Sequence, residues 1–306
     1  MSMKLSVEFP SVAFREGPAK VLALAQAIEE IGYDEIAVFD HVVMGYPTDD
    51  RRGPRYPPQM PVLEAIVLLA QIAAVTERVS LATEVLVLPQ RQPVLVAKQV
   101  STLDTLSEGR VRLGVGVGWQ ESEYDALEED YTNRGKRMDE AIALMRAYWG
   151  DERIDFAGEF YTSTAMAMAP KPPQGGAIPI WIGGGSQAAL RRVAELGDGW
   201  MGTAVADDAE ATRMVADIHA NAERIGRDPA EIGLQMMLQP PPTSDEDKVF
   251  YAHHDRVVAR AESIAAMGYG WASLNATAIF QAGARSVDAI IDELDALHAK
   301  LRAATP

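Results

Sequence analysis

Residues 110–149, RVRLGVGVGWQESEYDALEEDYTNRGKRMDEAIALMRAYW, run from a strand through an acidic turn into a helix. The strand sets Val111, Leu113, Val115 and Val117 among Gly114, Gly116 and Gly118. Glycine in a strand gives up side-chain packing, and the usual return is close approach by another backbone or by a ligand. The acidic residues that follow, Glu121 and Glu123 among them, argue against a phosphate cradle at this point. The segment reads as a strand whose C-terminal end opens onto a flat, bulky ligand.

Outward from this unit the same alternation recurs. Strand-like runs cover 5–9, 35–40, 79–88, 111–118, 178–184, 199–205, 232–238 and 271–280. Helical periodicity covers 18–31, 62–75, 93–106, 134–149, 186–196, 208–225, 245–267 and 287–301. Gly32, Gly109, Gly197, Gly226 and Gly268 follow helices as stop signals. Eight strands, each followed by a helix, predict an α/β fold of the (β/α)8 TIM-barrel type. A doubly wound sheet is the alternative, but the first strand exits through FPSVAFREG, which holds no dinucleotide fingerprint. We expect one domain over 1–306, with long βα loops after strands 2 and 4, at 41–60 and 150–173. Long connections in a compact domain are commonly lids or binding segments.

The composition excludes several classes. The chain has 306 residues, 48% of them hydrophobic, which supports a sizeable core. It has no apolar run near the ~18 residues of a membrane span, and its start, MSMKLSVEFPSV, lacks signal-peptide architecture. A cysteine count of zero removes disulfides, thiolate metal sites and cysteine nucleophiles, and fits a cytoplasmic location. The net charge of −16 disfavours nucleic acid and anionic membranes as partners.

Elementary chemistry marks two places. Gly183, Gly184 and Gly185 free backbone N–H groups, and Ser186 caps the helix that follows, so this N-terminus favours an anion. A tight structural turn needs one glycine rather than three. Asp40 and His41 end the second strand. A histidine there exchanges protons near neutral pH, or else closes the loop through a hydrogen bond with the aspartate as a cap. On residue type alone, Thr83, Glu84 and Val85 are a strand threonine followed by a loop, and Gly116, Gly118, Ser122 and Glu123 are a glycine-rich strand and its turn. His219, His253, His254 and His298 fall on helices away from strand ends and read as surface or packing residues. Met166 and Met168 fit a pocket wall or a packing patch equally. No histidine–carboxylate set has metal-ligand spacing, and Gly-x-Ser-x-Gly is absent.

The pieces GYDEIAVFDHVV, ERVSLATEVLVLPQRQPVLVAKQVSTLDTLSEGRVRLGVGVGW, RMDEAIALMRAYW, GEFY and PIWIGGGSQAALRRVAELGDGW carry a resemblance in this order and spacing. The chain resembles the luciferase-like monooxygenase superfamily, and within it most resembles the oxidoreductases that use the deazaflavin coenzyme F420. The resemblance is close from Leu5 to Trp200. It implies a barrel, usually a homodimer, with a flavin-like ring in a pocket at the strand C-termini. It implies that His41 faces the reacting ring, and that Asp40 orients that histidine or contacts the cofactor. It implies a cis non-prolyl Glu84–Val85 bond beside Thr83, forming a bulge against the middle of the ring. Many relatives have a smaller residue where Glu84 stands; Glu84 is itself a second acid/base candidate. Gly116, Gly118 and Ser122 fall beside the ribityl chain, and Gly183, Gly184, Gly185 and Ser186 at the phosphate. The implied activity is hydride transfer between F420 and a small organic substrate. Two alternatives follow from the same family. One is a monooxygenase using reduced flavin mononucleotide (FMN) from a partner reductase, and the other is a non-catalytic flavin-binding barrel.

Overall fold

The computed structural model describes residues 2–51, 53, 56–202, 205, 208–239 and 244–305. Eight parallel strands form the barrel: β1 Lys4–Glu8, β2 Glu35–Val38, β3 Ser80–Thr83, β4 Val111–Gly116, β5 Ile180–Gly183, β6 Gly199–Gly202, β7 Gly233–Met237 and β8 Trp271–Asn275. Neighbours follow chain order, and β8 closes on β1 in the register Leu5↔Ala272. Between β3 and β4 the pairing is Leu81↔Val111, and between β4 and β5 it is Leu113↔Ile180. The fold is the expected (β/α)8 barrel.

Strand alternation sorts the side chains into two groups. Leu5, Val7, Ile36, Val38, Leu81, Leu113, Val115, Ile180, Ile182 and Leu274 join the large core shared with the surrounding helices. The inward set is different. Ala37, Ala82, Trp181 and Met201 form a small apolar cluster, flanked by Val85 and Trp271. Through this cluster passes Arg112, its guanidinium 4.1 Å from the Trp181 ring and 4.3 Å from the Trp271 ring. The barrel interior is therefore partly polar, where branched aliphatic residues usually fill such barrels.

The helices fall close to their expected bounds. The helix Pro93–Leu106 begins where Gln92 accepts from the Leu95 N–H at 2.7 Å. Three expectations need correction. The strand expected over 271–280 stops at Asn275, because its side chain accepts from the Ala278 N–H at 2.8 Å and caps the helix Ala276–Ala282. The helix expected over 245–267 is divided: Ser244 and Asp247 form a capping box that starts the short helix Asp245–Lys248, a 3-10 turn follows at Phe250–Ala252, and the helix resumes at His254–Ala266. The segment 150–173 is not a loop over the strand C-termini. It leaves the helix Arg134–Gly150 toward the start of β5, and it forms a hairpin, Ile154–Ala157 with Thr162–Met166. Glu140 holds the hairpin turn against that helix by accepting from the Tyr161 N–H at 2.6 Å. Met168 joins the large core, so the packing alternative applies to it. Thr203 and Ala204, in the expected sixth strand, lie outside the described residues.

Candidate active site

The rim at the strand C-termini gathers most of the marked residues. β2 ends at Val38, and the chain turns through Phe39 to Asp40 and His41. The Asp40 carboxylate is directed into the protein. It accepts from the Val87 N–H at 3.0 Å and from Arg91 at 2.8 Å. Asp40 thus ties the β2 exit to the segment following Glu84 and Val85, which is a positioning contact.

His41 is held from one side. Its Nδ1 lies 3.1 Å from Glu123 Oε2. The same carboxylate accepts from the Val42 N–H at 2.5 Å, the Val43 N–H at 3.2 Å and Gln90 Nε2 at 3.1 Å. Burial alone would raise the Glu123 carboxyl, but the bonds from His41, Gln90 and Val42 outweigh it and hold the group below its ordinary range. An ionised Glu123 keeps the proton on Nδ1 and leaves Nε2 as the nitrogen able to accept one. The rings of Trp119 and Tyr56 stand edge-on to the imidazole at 5.4 and 5.8 Å.

The Glu84–Val85 peptide is cis. It interrupts the expected third strand between Ser80–Thr83 and a short strand at Leu86–Val87. Thr83 Oγ1 donates to the Gly114 carbonyl at 2.6 Å, and the Glu84 N–H donates to the Val38 carbonyl at 2.8 Å. The Glu84 carboxyl turns into the barrel, accepting from Gln235 Nε2 at 2.9 Å and Ser273 Oγ at 3.0 Å.

Thr83, Val85 and Val87 explain the glycines in and just after β4. A Cβ on Gly116 would come within 2.7 Å of Val85 Cγ2, and one on Gly118 within 2.6 Å of Val87 Cγ1. A Cβ on Gly114 would strike the Thr83 carbonyl. These glycines receive alternate residues of the neighbouring segment, so backbone and side-chain packing accounts for them first. Gly183 also meets Val85, at 3.0 Å, which makes the bulge, the end of β4 and the end of β5 contiguous.

Beyond β5, Gly184 has φ +111°, a conformation that side chains strain. Its carbonyl accepts from Trp200 Nε1 at 2.9 Å. Ser186 caps the helix Gln187–Leu196 by accepting from the Ala189 N–H at 3.2 Å. The earlier N–H groups of that turn have no intrahelical acceptor, and Gly185, Ser186, Gln187 and Ala188 are exposed.

Ser122 sits in the short helix Glu121–Ala126 and faces the long loop, where a Cβ on Gly45 would strike its Oγ. Glu123, one residue on, stands in the sequence with the glycines and Ser122 of this turn, and nothing there marks it as the partner of His41. Gln90 and Gln120 were also missed. Gln120 Nε2 donates to the Val43 carbonyl at 2.7 Å. The carbonyl oxygens of both glutamines are buried and without a hydrogen-bond partner among the described residues.

The luciferase-like monooxygenase family is matched by residues 4–299. The chain belongs to that family. Like its relatives in the luciferase-like family, it is an oxidoreductase. An uncharacterised protein of Mycobacterium tuberculosis is 36% identical over 214 residues, 67% of this chain and 72% of that protein. The F420-dependent glucose-6-phosphate dehydrogenase of Nocardia farcinica is 31% identical over 204 residues, 65% of this chain and 57% of that enzyme. Two solved structures of the fold are similar. An F420-dependent secondary alcohol dehydrogenase in complex with an F420-acetone adduct has a TM-score of 0.79 at 18% identity, covering 98% of this chain and 99% of that one. The monooxygenase RslO1 from Streptomyces bottropensis has a TM-score of 0.73 at 21% identity, covering 95% and 98%.

Proposed function

We propose that the protein is an F420-dependent oxidoreductase transferring hydride between the deazaflavin and a small organic substrate. The observation that carries this reading is the His41–Glu123 pair, with Nδ1 held at 3.1 Å on a buried carboxylate. The relatives named as F420-dependent glucose-6-phosphate dehydrogenases support the choice of cofactor, being 30–31% identical.

The residues present fit such a group. Gly184, Gly185 and Ser186 leave a cradle of backbone and unpaired first-turn N–H groups suited to a phosphate. Val85 projects from the cis bulge between Gly116 and Gly183 and offers an apolar support for a ring. The deazaflavin, when bound, supplies two-electron hydride chemistry. The chain supplies the rest. Glu123 fixes the His41 tautomer, and Nε2 takes up or returns the proton that accompanies the transfer. The loop after His41 exposes Val42, Val43, Tyr46 and Tyr56, an apolar wall for an organic substrate.

Calorimetric titration with oxidised F420 and, separately, oxidised FMN tests the cofactor. Tighter binding of F420 is expected. Tight FMN binding with no F420 binding would replace this reading with a flavin monooxygenase fed by a reductase.

A further inference from the structure

Among the described residues, the barrel interior beneath the bulge holds the carboxyls of Glu8, Glu35 and Glu84 and the guanidinium of Arg112. Arg112 Nε donates to Glu35 Oε2 at 2.6 Å, and its Nη2 contacts Glu35 Oε1 and donates to Gln235 Oε1 at 2.5 Å. Ser6 also donates to Glu35 at 2.9 Å. Arg112 thus hydrogen-bonds Glu35 and Gln235, and neither Glu84 nor Glu8. Among the described residues, Glu84 and Glu8 receive only neutral donors. Gln235 and Ser273 serve Glu84, and Asn275 Nδ2 serves Glu8 at 2.7 Å. Among the described residues neither forms an ion pair. Glu8 is 7% exposed, while Gln235 and Ser273 are fully buried. Two carboxylates in such surroundings, neither hydrogen-bonded to a cation among the described residues, favour holding a proton between them, because burial and mutual repulsion each penalise the second charge.

We propose that Glu84 and Glu8 form a proton-holding carboxyl pair in the floor of the site, keeping a proton at neutral pH and taking up more when an anionic cofactor settles over Val85. The position of the floor relative to the cofactor rests on the functional reading above; the pair itself does not. The groups facing it are Glu8 from β1, Glu35 from β2, Arg112 from β4, Gln235 from β7, Ser273 and Asn275 from β8, and Tyr251, whose hydroxyl accepts from the Asn275 N–H at 2.9 Å. The direction of both groups agrees. Burial and then Glu35 push Glu84 up to about 7, against the pull of Ser273, Arg112 and Gln235. Burial and then Glu84 push Glu8 well above the ordinary range.

Infrared titration of the cofactor-free protein reads the carboxylic C=O band directly. Wild type should keep a protonated-carboxyl band at about pH 7, where an ordinary carboxyl near ~4.3 has lost it. Glu84→Gln and Glu8→Gln should each remove or shift it. A wild-type band that vanishes with the ordinary carboxylates overturns the pair, and so does a band unchanged in both variants. Calorimetry of F420 binding in two buffers of different ionisation enthalpy then counts protons. Wild type should take up a fraction of a proton that Glu84→Gln does not. Equal uptake by both overturns the role toward the cofactor. If F420 does not bind to the wild type, the functional reading fails while the infrared result still decides the pair. Should Glu84→Gln not fold, Glu8→Gln gives the same two readouts.

Discussion

Glu123 holds His41: Oε2 of the carboxylate lies 3.1 Å from Nδ1 of the imidazole, and the same group collects the N–H groups of Val42 and Val43. One buried carboxylate thus fixes the histidine and the first residues of the long loop together. Glu123→Gln places an amide donor among donors. Turnover should fall by as much as ~10⁴-fold, because an amide in place of the carboxylate lets the histidine adopt the wrong tautomer. Stability should fall as well, and the sign with pH follows from the lowered carboxyl. Such a group contributes stability above the unfolded value of ~4.3, and loses it as pH falls through its folded value. Thermal unfolding should show a gap between wild type and variant that narrows below about pH 4.3. A gap of constant size would remove the ionised Glu123.

His41 is itself buried, at 8% exposed, so His41→Ala mixes two effects by leaving the Glu123 carboxylate short of a donor. His41→Asn keeps a donor in the place of Nδ1 and loses Nε2. The melting temperature should stay near wild type while turnover drops ~10²–10⁴-fold. The reverse pattern, a lower melting temperature with modest rate loss, would make the histidine structural.

Gly184 is a poor probe of the cradle, since φ +111° strains any side chain whether or not an anion binds. Gly185 is better. A Cβ there meets only the end of the flexible Met214 side chain, at 3.0 Å. Gly185→Val should fold and should weaken F420 by tenfold or more, because each lost bond to a charged group is worth ~1.5–3 kcal/mol. Unchanged affinity in the folded variant would take the cradle out of the site.

Gly116 and Val85 should be coupled. Gly116→Ala sets a Cβ 2.7 Å from Val85 Cγ2 and should cost ~1–3 kcal/mol by overpacking. Val85→Ala in the same chain should recover most of it. Additive losses in denaturant unfolding would show that the two side chains do not compete for one space.

The barrel was legible because strand-like runs and helical periodicity alternate along the whole chain, and the periodicity over 93–106 matches the helix Pro93–Leu106. The second long segment was misplaced because length alone does not tell which end of a barrel a loop occupies. The candidate site was legible where a residue type is rare, as with His41 and the three glycines. It was hidden where the type is common. Glu123 is one acid among several in its turn, and its role depends on burial and on Val42, Val43 and Gln90, which are far from it in sequence. The glycines of β4 pointed to a close neighbour, but only the bulge at Val85 showed that the neighbour is the chain itself.

A crystal structure of the complex with F420 tests the central claim most directly. The deazaflavin ring should rest on Val85 with His41 Nε2 within direct or water-bridged reach of its reactive carbon, and the phosphate should lie on the N–H groups at Gly185 and Ser186. A ring seated away from Val85, or an Nε2 sequestered by backbone groups and facing away from the cofactor, would contradict the account.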